Sequence, residues 1–193
     1  MPQSRSAKSR SSLRIISGKL RGRRIPLVGN GVRPTGDRIR ETLFNWLQSD
    51  IQGIRCLDMF AGSGALGLEA LSRGAARVTF IDINSSAVRQ IRQLLDEFDT
   101  QAGQVMQGNA MTVNYAGQGQ FELVFVDPPF GSLDLSNLCT LLEESGCLAD
   151  PAHIYIETRR RDASFEVPNG WALKRERKSG QVWFGLFERS ISS

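Results

Sequence analysis

The chain has 193 residues, 40% hydrophobic and 23% charged, which is enough for one domain with its own core and excludes wholesale disorder. No apolar run reaches the length of a membrane span, and no apolar signal core follows the basic, Ser-rich opening "MPQSRSAKSRSS". The net charge of +4 is unevenly spread: residues 1–40 hold eleven Lys/Arg against Asp37 alone, and the other 153 residues hold thirteen basic and nineteen acidic ones. A basic front on an acidic body points to a polyanionic partner.

In chain order, residues 1–12 read as a flexible basic tail. "LRIISGKLRGRRIPLV" (13–28) reads as two short strands around a Gly-containing turn, and residues 13–34 form a basic β-hairpin extension. The main domain is expected to span 35–193. It opens with "RPTGDRIRETLFNWL", a helix with Thr35 as N-cap and Ile39, Leu43, Trp46 and Leu47 as its apolar stripe. A strand–helix rhythm follows: "IRCLDMF", "ALGLEALSRG", "RVTFIDI", "SSAVRQIRQLLDEF", "QVMQGNA", "FELVFV", a Leu-rich helix from 135, and "HIYIET". "WALKRERK" and "QVWFGLFER" flank Ser179-Gly180 as a terminal hairpin. The expected fold is α/β: a doubly wound, mostly parallel, seven-stranded Rossmann-like sheet with an antiparallel C-terminal edge. Cys56, Cys139 and Cys147 lack metal-ligand spacing and fit reduced thiols in a cytoplasmic protein; no metal is expected. His153 is the only histidine, so a His-based relay is poorly supplied.

Two stretches carry chemistry. In "DMFAGSGALG", Gly62, Gly64 and Gly67 satisfy G-x-G-x-x-G after a strand, and Asp82 ends the next strand. The glycines let backbone approach a ligand, and the end acid suits a ribose diol. Asp58, four residues before Gly62, repels a pyrophosphate but welcomes an ammonium; its competing reading is a loop cap. In "FELVFVDPPFG", a buried strand runs into Asp127-Pro128-Pro129-Phe130 at the sheet edge where ligands bind. A nucleobase amino group is a poor nucleophile because its lone pair is delocalised. The Asp127 carboxylate and the Pro128 carbonyl can accept its N–H bonds and localise that pair. Pro129 restricts the backbone of Pro128, and Phe130 offers a flat face to an unstacked base.

"CLDMFAGSGALGLEALSRGA" resembles the S-adenosylmethionine loop of class I methyltransferases. With "RPTGDRIRETLFNWL", "GNAM" and "VFVDPPF", it makes residues 13–189 resemble the bacterial 16S ribosomal RNA guanine-N2-methyltransferase D family. The resemblance implies methyl transfer from S-adenosylmethionine to N2 of one guanosine in 16S rRNA, on an assembling small subunit in the cytoplasm. It implies Asp127, Pro128, Pro129 and Phe130 as the target site. It implies Asp58, Phe60, Ala61, Gly62, Gly64, Asp82, Ile83, Asn109 and Ala110 as the cofactor site. Position 82 is Asp where the family often has Glu, and Asn109 stands where methyltransferases commonly have an acid. Arg21, Arg23, Arg24, Arg33, Arg38 and Arg40 are expected to face RNA phosphates. "TRRRD" (158–162) reads equally as an RNA contact or a solvated charge run. Competing readings are a DNA or RNA adenine-N6 methyltransferase, a nicotinamide oxidoreductase built on the glycine pattern alone, and a non-enzymatic RNA-binding assembly factor.

Overall fold

The computed structural model describes residues 12–27, 36–115 and 117–191. In chain order the elements are β1 (Ser12–Arg14), β2 (Arg24–Pro26), α1 (Asp37–Trp46), β3 (Arg55–Asp58), α2 (Ala65–Ser72), β4 (Arg77–Asp82) and α3 (Ser85–Glu97). They continue with β5 (Gly103–Gln107), β6 (Phe121–Val126), α4 (Leu135–Glu144), β7 (Leu148–Arg159), a 3-10 turn (Arg160–Asp162), β8 (Trp171–Ser179) and β9 (Val182–Arg189). Seven strands form one sheet in the order β5-β4-β3-β6-β7-β9-β8. Neighbours from β5 to β7 are parallel, and β9 is antiparallel to both β7 and β8. The doubly wound sheet with an antiparallel C-terminal hairpin is therefore as the alternation of elements predicts. No helix of the described residues is long and apolar enough to cross a membrane.

The strand order reverses between β3 and β6. From β3 the chain builds outward through β4 to β5; from β6 it builds the other way. The carboxyl ends of β3 and β6 thus flank a switch point, where loops diverge and leave a crevice. The buried strands carry continuous apolar runs because helices cover both faces. On one face Phe44 of α1 meets Phe125 at 6.0 Å, and Trp46 stacks on Phe184 at 5.4 Å. On the other, Leu135, Leu138 and Leu142 of α4 pack with Leu57, Val124 and Ile156. The stripe on α1 is Ile39, Leu43, Phe44 and Leu47, with Trp46 half-buried. Asn84 caps α3 by accepting from the Ser86 amide at 2.8 Å, as its type predicts. The three cysteines are buried free thiols.

The N-terminal hairpin is not a free-standing arm. Ile15 and Ile25 are buried in the core shared by α1 and α2. The segment between β1 and β2 is clasped by the last turn of α2: Glu69 accepts from the Ile16 and Ser17 amides at 2.8 and 3.0 Å, and the Lys19 amide donates to the Ser72 carbonyl at 2.8 Å. All eight residues of α2 are buried as a result. This clasp lies at the amino-terminal edge of the sheet, because α2 has run back from the crevice to where β4 begins.

Arg40 departs from its expected role. Its side chain is 0% exposed and pairs with Asp37 at 2.7 Å and with buried Glu69 at 3.4 Å, and it donates to the Arg14 carbonyl at 2.9 Å. It joins hairpin, α1 and α2, and it does not face RNA. The 1–11 part of the tail, Arg33 and Thr35 lie outside the described residues; α1 begins after Gly36.

Candidate active site

Four strand ends deliver the predicted residues to one edge. Asp58 ends β3, Asp82 ends β4, Asn109 follows β5, and Asp127 follows β6. Asp58 pairs across with Phe125, so Asp127 stands two residues further out along the crevice. The glycine loop leans across the end of β4: the Ala61 amide donates to the Ile81 carbonyl at 2.9 Å, and the Gly62 amide donates to Asp82 Oδ2 at 2.7 Å. Gly62 and Gly64 have φ of +52° and +80°, a region that disfavours side chains. A Cβ on Gly62 would touch only the Phe60 carbonyl, at 3.9 Å, so the loop presents bare backbone to the crevice. At Gly67 the constraint is packing: a Cβ there would sit 2.2 Å from the Phe80 ring. The third glycine seats α2 on the sheet.

Asp58 is 2% exposed and accepts from the Gly67 amide at 3.0 Å. The loop-cap role is therefore real, and the carboxylate still lies at the crevice floor. Burial pushes it up to about 7, against the pull of the Gly67 bond; the charges of Asp127 and Asp82 add to the rise. In register Asp58 pairs with Phe80 and Phe125, so Asp82 and Asp127 each stand two residues further out, and the three carboxylates share one crevice. Asp82 Oδ1 also accepts from the Asn84 amide at 2.7 Å. Beside it, Ile83 is 69% exposed, a large apolar face at the crevice that the fold leaves uncovered. Asn109 is exposed and caps its own turn through the Met111 amide at 2.9 Å, while Ala110 is buried and accepts from the Tyr115 hydroxyl at 2.7 Å. The set fits a ligand with a ribose, a flat ring and a cationic end. Among the described residues no group of His, Cys, Asp or Glu is placed to hold a metal ion. His153 pairs with Asp50 at 3.5 Å, well down β7 from the carboxyl edge.

In the Asp-Pro-Pro-Phe turn, Pro128 is buried and Pro129 exposed. The turn's own donor, the Ser132 amide, goes to the Pro129 carbonyl at 3.1 Å, one residue beyond the Pro128 carbonyl. Phe130 packs on the core cluster that holds Phe44 and Phe125. The Arg159 guanidinium lies over its ring, 5.5 Å from the centroid. Beside this turn is a pocket of about 330 Å³ bounded by Pro128, Phe130, Asp134, Thr158 and Phe165.

In the sequence Arg159 is one member of "TRRRD", which reads equally as an RNA contact or a solvated charge run; its place over Phe130 comes only from the fold. Its place at the carboxyl end of a strand is legible there; that this strand, β7, lies beside β6 is not. The predicted basic residues divide. Arg24 and Arg38 are exposed. Arg21 and Arg23 are also exposed but lie near the clasp at the amino edge, where the Arg23 guanidinium sits 5.5 Å from the Phe98 ring centroid. They do not line the crevice.

A family model described as "Conserved hypothetical protein 95" matches residues 13–188. The chain is 45% identical over 178 residues to the ribosomal RNA small subunit methyltransferase D of Escherichia coli K12, covering 92% of this chain and 90% of that one. It is 39% identical over 185 residues to the protein of the same name from Haemophilus influenzae, covering 93% and 95%. A solved structure of a putative methyltransferase from Escherichia coli superposes with a TM-score of 0.85 at 45% identity, covering 94% of this chain and all of that one. With a family model over residues 13–188 and relatives 39% and 45% identical over at least 90% of both chains, the chain belongs to the ribosomal RNA small subunit methyltransferase D family.

Proposed function

We propose that this protein transfers a methyl group from S-adenosylmethionine to the exocyclic N2 amino group of a guanosine in 16S ribosomal RNA, presented within an assembling small subunit. One observation carries the reading: in a protein of net charge +4, the strand register brings Asp58, Asp82 and Asp127 together at the switch point, with Phe130 beside them. An acidic crevice suits a cationic cofactor and an amino-bearing base, and it repels a nicotinamide pyrophosphate. Family membership and the names of the relatives supply the RNA class; the guanine N2 atom rests on the resemblance of the motifs.

Asp82 would take the ribose, Ile83 one face of the adenine, the bare backbone at Gly62 and Gly64 the sulfonium side, and Asp58 the amino-acid ammonium. Asn109 would accept from the adenine amino group. When bound, the cofactor supplies a methyl group on an electron-poor sulfur.

The chain's residues supply the rest. The Asp127 carboxylate and the Pro128 carbonyl accept the two N–H bonds of the target amine and restore its lone pair. Acceptors fixed before reaction need no reorganisation as positive charge grows on nitrogen, which favours the transition state over the ground state. No strong base is required, since the amine becomes acidic once it carries the extra methyl. Phe130 packs against the core with the Arg159 guanidinium over its ring. A base entering here would stack on the guanidinium plane that the ring backs, a platform for nucleobases. Arg24 and Arg38 would meet phosphates directly, whereas Arg21 and Arg23 would meet only RNA that wraps to the amino edge.

The test is incubation of purified protein with S-adenosylmethionine and 16S rRNA from cells lacking this protein, followed by mass mapping. One N2-methylguanosine is the expected product. Asp127→Ala should abolish transfer while calorimetric binding of the cofactor persists. Full turnover by that variant would remove the mechanism.

A further inference from the structure

Thirteen Lys/Arg residues lie beyond residue 40, and seven of them fall within 159–178: Arg159, Arg160, Arg161, Lys174, Arg175, Arg177 and Lys178. In sequence the two groups look like separate charge runs. The fold joins them. The Arg160 amide donates to the Gln181 carbonyl at 2.7 Å, tying the end of β7 to the turn between β8 and β9. In the sheet register Thr158 faces Trp183, which faces Lys178; Glu157 faces Phe184, which faces Arg177. Asp127 follows Val126, the partner of Ile156, so Arg177 is level with the target carboxylate. Three strand spacings separate β6 from β8, which at about 4.8 Å each puts Arg177 about 14 Å from Asp127.

We infer that Arg159, Arg160, Arg175, Arg177 and Lys178 form a basic band that grips the phosphate backbone of the substrate RNA flanking the methylated nucleotide. This rests on the RNA-methyltransferase reading above and adds a surface to it. Residues 172–178 are exposed along the outer edge of the sheet. Lys174 is paired with Glu188 at 2.8 Å, and Glu176 accepts from the Trp183 indole at 2.5 Å, so the one acid inside the strand is turned to a neighbour. The band begins at Arg159 on Phe130, where a base would stack, and runs outward at the height of the catalytic edge. The hairpin arginines at the amino edge share neither feature.

Charged edge strands also serve to prevent pairing between copies of a protein. That role needs charge at an edge but no link to the active site. Of the three basic β8 residues with no ion-pair partner among the described residues, two are arginine, whose planar fork suits phosphate better than lysine does.

The experiment compares wild type with Arg175→Gln/Arg177→Gln/Lys178→Gln and with Arg175→Lys/Arg177→Lys. Affinity for purified 16S rRNA is read by fluorescence anisotropy between 50 and 300 mM salt, and turnover by methyl transfer. Loss of these phosphate contacts should lower the salt slope by about 2 and raise KM for RNA about 10- to 100-fold, with kcat within about two-fold. The lysine variant should keep the wild-type slope. An unchanged slope and KM in the glutamine variant overturns the proposal. So does self-association of that variant, seen by light scattering, with RNA affinity intact, which would assign the charges to edge protection. A wild type that binds RNA through the band yet transfers no methyl supports the band and removes the catalytic reading instead.

Discussion

Replacing Asp58 with Asn should stabilise the ligand-free protein at pH 8 and leave it unchanged near pH 4. In the unfolded chain Asp58 ionises near its ordinary value of 3.8, whereas in the fold burial holds it protonated up to about 7. Between those values the folded state carries the extra proton. Stability therefore falls as pH rises through that window, and the loss is complete above pH 7. A gap of about 3 pH units at 1.36 kcal/mol each sets the penalty at about 4 kcal/mol. Asn keeps an oxygen for the Gly67 amide and carries no charge, so it escapes this cost. For a chain of this size, each kcal/mol moves the melting temperature by about 2–4 °C. The variant should thus melt about 8–16 °C above wild type at pH 8, with the difference vanishing toward pH 4. Scanning calorimetry of the two ligand-free proteins from pH 4 to 8 measures it. Cofactor binding should show the reverse preference: wild-type affinity rises as pH passes 7, and the variant binds weakly at every pH. A melting difference that does not change with pH would refute the argument, because a carboxylate at ordinary acidity would give no trend in this range.

Two further perturbations act on the scaffold. Glu69→Ala removes the acceptor of two hairpin amides and the partner of buried Arg40. It should cost about 3–5 kcal/mol, because buried Arg40 keeps, among the described residues, only Asp37 as counter-charge and two amides lose their acceptor, and amide exchange at Ile16 and Ser17 should accelerate first. Gly67→Ala forces a methyl against the Phe80 ring. A loss of about 1–3 kcal/mol in urea unfolding is expected. Cofactor affinity, read by calorimetry, should fall in the same variant, since α2 must lift from the sheet that positions Asp58.

The parts of the molecule that were readable in the sequence are those whose signal is local. The glycine loop, the acids at strand ends and the Asp-Pro-Pro-Phe turn each follow a strong strand, and alternation of elements fixes which sheet edge they share. What the sequence hid depends on contacts between distant segments. Arg38 and Arg40 look alike in a basic stretch, yet two residues along a helix turn a side chain to the opposite face. Arg40 lies one turn from Leu43 and Phe44, on the apolar side, and that spacing was a usable clue. Its partner Glu69 was not visible, because it comes from another helix. The orientation of the hairpin likewise hangs on the Lys19–Ser72 contact. The meeting of residues 159–160 with 175–178 requires knowing that β9 inserts between β7 and β8, which no local pattern announces.

Helix α2 has a consequence for how freely this chain can drift. Its first turn carries the floor beneath the glycine loop, and its last turn holds the hairpin by Glu69 and Ser72. With every side chain enclosed, those two turns offer no solvent-facing position on which substitutions could accumulate harmlessly. The segment acts as a rigid pin with a fixture at each end, so the arm cannot be re-aimed without unseating the loop. Substitutions that this chain can absorb lie elsewhere, in its exposed strands and turns.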